Sequence, residues 1–355
     1  MKPTGVLMVG SVPGTSPQEV FMRLTTALPG RLPAVPDGET GERWNYIGWQ
    51  LQRFPLVARR NELGGIPLPD PALGRPAFTL ADIGPTGYDE AALSSYAEFR
   101  RLRQQHMIPS SVRFQIGLPS PYSVLAGHLK PELANAIEPL YEQRLEETID
   151  RILTEIPHAD LVIQWDLCFE MTALEFEQGR LSDPRHQAYF SSPRGVQAGL
   201  VDRIARLCER IPKDVKIAFH LCYGDLRHKH FIEPQDTSLL VDLANALLER
   251  EALGPRTEWI HLPVPKERND AEYFAPLARL RLDAPGSLPP RIFLGLVHAN
   301  DESGTKRRIE MAQKVLPFPF GVATKCGLGR TPPEEIDSIL RICKEVTAEP
   351  VWQSL

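Results

Sequence analysis

Lys216-Ile217-Ala218-Phe219-His220-Leu221-Cys222-Tyr223-Gly224-Asp225 is an apolar run that leads straight into a histidine and a cysteine two residues apart. A short apolar run closed by turn residues reads as a buried strand, and alternate residues on a strand face the same way. His220 and Cys222 can therefore point at one spot near the strand's C-terminal end. Imidazole and thiolate are a ligand pair that suits zinc. Alone, a His-X-Cys at a strand end is ordinarily a matter of core packing, so its meaning depends on what the other segments supply.

Seven more runs of the same kind flank it: 5–9, 32–35, 112–117, 160–165, 259–262, 291–297 and 320–323. Helical spacing separates most of them, over 17–28, 88–106, 132–156, 195–210, 237–253, 305–315 and 333–346. Ser16, with Glu19 three residues on, is a capping signal for the first helix. Pro139 is expected to kink helix 132–156 or split off its first turns. Strands alternating with helices argue for a parallel sheet, and a count of eight argues for an α/β (β/α)8 TIM barrel. An open doubly wound sheet is the alternative, but Gly10-Ser11-Val12-Pro13-Gly14 does not match its phosphate-binding G-x-G-x-x-G. Residues 1–355 read as a single barrel domain, with a long insertion between strands two and three around 45–111. Proline-rich stretches at 66–71 and 285–290 read as long, ordered connections.

The composition is that of a soluble globular chain: 355 residues, 42% hydrophobic, 24% charged, net charge −5. That balance leaves no electrostatic footprint for nucleic acid or an anionic membrane. Five cysteines, odd in number and far apart, do not form a disulfide framework and point to a reducing compartment. No signal peptide, transit peptide or membrane-spanning apolar run is apparent, and a cytoplasmic location is expected.

In a (β/α)8 barrel the active site lies at the C-terminal ends of the strands. Those ends carry Ser11, Asp37 with Glu39, Tyr122, Asp166, His220 with Cys222, the His261 region, His298 and Cys326. Unselected strand ends would not gather so many reactive side chains at one rim. His220, Cys222 and Cys326 would meet only by reaching inward across the barrel mouth. Three protein ligands leave zinc a fourth position for substrate, the catalytic pattern rather than the structural one. A thiol bound to zinc is deprotonated at neutral pH, which favours thiolate attack on carbon.

Six segments, in order, resemble the C-terminal barrel of cobalamin-independent methionine synthases. Val9-Gly10-Ser11-Val12-Pro13 resembles that family's G-S-F-P turn, and Asp37-Gly38-Glu39 its H-G-E substrate segment. Ile163-Gln164-Trp165-Asp166 resembles I-Q-I-D, whose Asp contacts the homocysteine amino group. His220-Leu221-Cys222-Tyr223 resembles the H-M-C-Y zinc segment, and Val297-His298 the segment bearing the family's acid. Lys325-Cys326-Gly327-Leu328 resembles the D-C-G-L that gives the last thiolate. The chain departs from the family on strand six, where no Glu ligand stands at the matching place and His261 or Glu267 is the possible fourth ligand. Leu167-Cys168 follow Asp166 in place of Glu-Pro, and Tyr122 alone stands where the family has a folate-stacking Trp. The resemblance implies a divergent member without the family's N-terminal half.

The expected function is zinc-dependent methyl or alkyl transfer to a thiol or amino-acid-like substrate from a methyl donor. Zn2+ would be held by His220, Cys222 and Cys326, with Ser11, Glu39, Tyr122 and Asp166 as substrate contacts and His298 as the acid. Alternatives are another zinc-thiolate C–S bond-forming enzyme of the epoxide-opening type, a metal-free lyase resembling uroporphyrinogen decarboxylases, and a barrel that keeps only the ligand pocket. Blander readings stand beside these. Asp166 also fits a helix N-cap, Glu39 a turn carboxylate, His298 a hydrogen-bonded loop histidine and His261 a satisfied core histidine. Cys168, Cys208 and Cys343 read as small buried hydrophobes, His228 and His230 as loop residues, and Trp44, Tyr46 and Trp49 as core packing or a pocket wall.

Overall fold

Strands buried on both faces read as continuous apolar runs, and the strands of this barrel follow that rule. The computed structural model describes residues 2–70, 74–225, 229–282 and 288–350; His228 and Pro285 lie outside them. Among the described residues the strands are β1 (Val6–Leu7), β2 (Ala34–Pro36), β3 (Arg113–Pro119), β4 (Leu161–Leu167), β5 (Lys216–Leu221), β6 (Thr257–Pro263), β7 (Arg291–Val297) and β8 (Gly321–Thr324). All pair in parallel, in the order β1-β8-β7-β6-β5-β4-β3-β2. The seam between β1 and β2 is bridged by Ser11 beside Gly38, where Val12 N–H donates to Gly38 O at 2.9 Å. The result is an eight-stranded (β/α)8 barrel.

The helices that cover it are α1 (Pro17–Ala27), α2 (Tyr46–Leu51), α3 (Tyr88–Gln104), α4 (Pro121–His128), α5 (Pro131–Glu155), α6 (Phe169–Glu177), α7 (Val196–Glu209), α8 (Ser238–Leu248), α9 (Ala271–Phe274), α10 (Glu302–Val315) and α11 (Ile336–Val346). Ser16 Oγ caps α1 by accepting from Glu19 N–H at 3.3 Å, while the Glu19 carboxylate turns outward to Thr15 N–H and Oγ1. Helix α5 runs unbroken through Pro139. Proline removes one backbone hydrogen bond there, but buried residues on both sides of it, Leu133 and Ile137 before, Tyr141 and Leu145 after, tie the two halves to the core. Packing therefore carries the helix past the break that the sequence predicts.

Two helices lie where the sequence reads as loop. Ser120 Oγ accepts from Ser123 N–H at 2.9 Å and starts α4 directly after β3. Helix α6 starts just after Cys168. Both sit above the barrel's C-terminal mouth, against each other. No helix among the described residues is long and apolar enough to cross a membrane.

The barrel interior is filled from below by Leu7, Val9, Ala34, Val162, Ala218, Trp259, Phe293 and Ala323. Above that layer the filling turns polar. Gln164 Nε2 donates to Val9 O at 2.6 Å and to Asp166 Oδ1 at 2.9 Å, and Gln164 Oε1 accepts from Trp259 Nε1 at 3.0 Å. The register then sets the next layer: Pro119, Asp166, His220 and His261 are successive cross-strand partners on β3 to β6. One level of the barrel mouth thus holds a carboxyl and two imidazoles side by side.

Candidate active site

Three of the expected ligand residues meet at the centre of this mouth. His220, Cys222 and Cys326 each offer a donor atom, all within 4.8 Å of one another. Cys222 Sγ lies 3.6 Å from Cys326 Sγ, and Cys326 Sγ lies 3.7 Å from His220 Nε2. A tetrahedral zinc with bonds of about 2.0–2.3 Å places its ligand atoms about 3.5–3.8 Å apart, so the donor set suits zinc in its chemistry and the two separations from Cys326 Sγ match tetrahedral edges. The two loops that carry the sulfurs are pinned together by an ion pair between Lys325 and Asp225 at 2.8 Å. Gly224 N–H points at Cys222 Sγ from 3.2 Å.

Crowding governs the protonation of these groups. Contact with the Cys168 thiol is the main cause that holds Cys222 well above the ordinary thiol range, and contact with Cys222 does the same to Cys326. Burial keeps His220 neutral, with its pKa well below the ordinary value, and moves His261 to about 3. A divalent cation among thiols reverses such a preference and favours the thiolates.

On the β2–β4 side stand two carboxyls. Burial raises Asp166 to about 7, against the opposing hydrogen bond from Gln164. Glu39 is raised well above its usual range, first by burial and then by the charge of Asp166. Its carboxylate rests against two glycines: a Cβ on Gly10 would lie 2.9 Å from Glu39 Oε1, and one on Gly117 would lie 3.2 Å from that atom and 3.8 Å from Asp166 Oδ2. Glu39 sits at φ +49°, in the left-handed region that L-residues rarely adopt. Asp37 holds it there. The Asp37 carboxylate accepts from Glu39 N–H at 2.9 Å, from Arg43 Nη2 at 2.8 Å and from Ser95 Oγ at 2.6 Å. A strained residue fixed by a buried ion pair is the pattern of a functional position.

On the β6–β8 side a cavity of about 740 Å³ opens onto Cys326, lined among others by Lys325, Val297, His298, Leu328 and Glu267. Nε2 of His298 donates to Val264 O at 3.0 Å, which leaves Nδ1 as an acceptor. Burial, with help from Arg308, lowers its pKa to about 3. The imidazole is thus neutral at rest, and an acid role requires it first to gain a proton at Nδ1.

Other expected site residues lie apart. Tyr122, 2% exposed, is stacked on Tyr189 with ring centroids 5.0 Å apart and meets Phe190 edge-on, in an aromatic cluster beneath α4. That packing accounts for it without a substrate. Ser11 Oγ accepts from Gly329 N–H at 3.1 Å and so ties the Cys326 loop to β1. Glu267 is exposed on the cavity rim, outside the ligand set. His261 is inside the barrel but outside the ligand set as well: its Nδ1 is 2.7 Å from His220 Nδ1 and its Nε2 is 2.9 Å from Thr324 O.

Two further residues join the site: Cys168, which the sequence reads as a small buried hydrophobe, and Tyr46, which it reads as core packing or a pocket wall. Cys168 meets Cys222; it follows Gln164 and Asp166 at strand spacing, a signal that was present in the chain. Tyr46, on α2 of the long segment between β2 and β3, is half-buried, and burial together with the neighbouring Cys168, Asp166, Cys222 and Cys326 holds its phenol well above its usual range. No local pattern marks Tyr46 as a site residue; the start of α2 brings it to the mouth.

No family model and no curated protein matches the chain. Solved structures match it in fold. The structure of a B12-independent methionine synthase from Shewanella sp. W3-18-1, in complex with selenomethionine, aligns with a TM-score of 0.55 and 13% identity over 97% of this chain and 96% of that one. A structure from Listeria monocytogenes, provisionally assigned as a vitamin-B12-independent methionine synthase, aligns with a TM-score of 0.49 and 17% identity over 93% of this chain and 85% of that one. At such identities the likeness is one of fold.

Proposed function

We propose that this barrel is a zinc-dependent transferase that moves a methyl or small alkyl group onto the thiol of an amino-acid-like substrate. The observation that carries the reading is the meeting of His220, Cys222 and Cys326 within 4.8 Å of one another, with the two separations from Cys326 Sγ at tetrahedral-edge lengths; three such ligands would leave zinc one position open. When bound, the metal would supply a cation that keeps a substrate thiol deprotonated at neutral pH.

The chain's own residues supply the rest. Asp166, buried, and Glu39, half-buried, form a pair of carboxyls, and among the described residues Gln164 is the one side chain that donates to the Asp166 carboxyl, so an ammonium group placed between them would favour their ionised forms. That arrangement suits an α-amino acid and orients its side chain toward the sulfurs. Tyr46 would cover the thiol end and keep water from it. The second substrate would enter from the cavity beside Cys326. In the reaction an S–C bond forms, the donor's bond to the same carbon breaks, and the donor's leaving group takes up a proton. His298, on the cavity side, would relay that proton through Nδ1. The similar-fold synthase solved with selenomethionine holds a ligand of this class.

Calorimetry tests the reading. Zinc-loaded protein titrated with 2-aminobutyrate, which lacks the thiol, in buffers of different ionisation enthalpy, reads the protons that the ammonium displaces from Asp166 and Glu39 alone. Homocysteine should release close to one proton more per molecule bound than 2-aminobutyrate does. Protein purified without chelators that carries no zinc, or homocysteine releasing no more protons than 2-aminobutyrate, would remove the basis of the proposal and leave a metal-free lyase as the better reading.

A further inference from the structure

His220 and His261 are cross-strand partners on β5 and β6, with ring centroids 4.7 Å apart and Nδ1 facing Nδ1 at 2.7 Å. The remaining nitrogen of His261, Nε2, lies 2.9 Å from Thr324 O. The remaining nitrogen of His220, Nε2, faces Cys326 Sγ. Two imidazoles thus link a backbone carbonyl on β8 to the ligand cluster.

This link has a direction. A carbonyl oxygen has no proton to give, so His261 Nε2 carries the N–H. A neutral imidazole has only one N–H, so His261 Nδ1 is an acceptor. His220 Nδ1 must then donate to it, which leaves the lone pair of His220 on Nε2, the nitrogen that faces the sulfurs. The opposite tautomer of His220 would oppose two lone pairs across 2.7 Å and turn an N–H toward the ligand cluster.

We propose that His261 is a positioning residue that holds His220 in its Nδ1–H tautomer and so presents the Nε2 lone pair to the metal position. The proposal rests on the zinc reading of the site. Both nitrogens of His261 are committed, so it is not a fourth ligand, and the fourth position stays free for substrate. Gly295 on β7 makes the reach across to β8 feasible, because a Cβ there would stand 3.0 Å from Thr324 O. Thr324 lies two residues before Cys326, and its hydroxyl donates to Cys326 O at 2.8 Å. One segment therefore supplies both the last thiolate and the anchor that sets the imidazole.

Two measurements on the full chain decide it. In metal-free protein labelled with 15N-histidine, long-range proton–nitrogen correlations report which nitrogen of each ring is protonated, with His220→Asn and His261→Gln giving the assignments. His220 is expected as the Nδ1–H form. Zinc affinity, read by competition with a chromogenic chelator, should fall 10- to 100-fold in His261→Leu, and His261→Gln, whose amide accepts from His220 and donates to Thr324, should recover to within about threefold of wild type. His220 protonated at Nε2 in the wild type, or His261→Leu binding zinc as tightly as wild type, would overturn the proposal. If His261→Leu does not fold, the wild-type tautomer and His261→Gln still decide. Wild-type protein that takes up no zinc while keeping the Nδ1–H tautomer would instead count against the zinc reading.

Discussion

Asparagine at position 166 keeps the shape of the aspartate and its hydrogen bond from Gln164, and removes its charge. In the folded protein burial raises the Asp166 carboxyl from 3.8 to about 7. Below pH 4 the group is protonated in both folded and unfolded chains and costs nothing. Between about pH 4 and pH 7 the unfolded chain ionises while the folded one does not, so wild-type stability falls as pH rises. Above pH 7 both are ionised and the loss levels off. A shift of about three units at 1.36 kcal/mol each sets a ceiling near 4 kcal/mol. Glu39 adds to it, because its own carboxyl is raised by the Asp166 charge. Asp166→Asn should therefore melt higher than wild type at pH 8, by on the order of 5 °C, with no difference near pH 4. Thermal unfolding in chelator, followed by circular dichroism across pH 4 to 8, reads the gap. The same variant should bind amino-acid substrates at least tenfold more weakly, since an ammonium loses one of its two carboxylate partners. A variant less stable than wild type at pH 8, or a gap that does not change with pH, would refute the reasoning.

Gly117→Ala should raise KM for an amino-acid substrate about tenfold with melting temperature unchanged or higher, because its Cβ would stand 3.2 Å from Glu39 Oε1 while alanine suits a strand better than glycine. Gly295→Ala should cost about 1–3 kcal/mol in urea unfolding and weaken zinc binding, because its Cβ would meet backbone at 2.9 Å on Lys325 and 3.1 Å on Pro263. Stability unchanged by that methyl would show that β8 can move aside. His298→Asn should lower kcat by about 10²–10⁴ while zinc content stays equal to wild type, as befits a proton relay that touches no metal. A fall in zinc content would reassign it to holding the site.

The barrel was legible because parallel strands are buried on both faces and so announce themselves as apolar runs. The meeting of His220, Cys222 and Cys326 was legible because the rim of such a barrel collects strand ends, and these three are ligand-type residues at those ends. Helix α4 was not, since seven of its eight residues are buried and no polar face is left to betray a helical period. The position of Tyr122 after β3 suggests the rim, and on α4 its ring packs with Tyr189 and Phe190. His261 shows the limit most clearly. Its strand and its burial could be read from the chain, but its work depends on a carbonyl 63 residues away, brought near by barrel closure.

Zinc K-edge X-ray absorption on protein purified without chelators tests the metal centre most directly. The account predicts one zinc per chain, with two sulfurs near 2.3 Å, one imidazole nitrogen near 2.0–2.1 Å and one further light atom, and a first shell with fewer sulfurs in Cys222→Ser. An absence of zinc, a shell of oxygen and nitrogen alone, or a Cys222→Ser spectrum identical to wild type would contradict it.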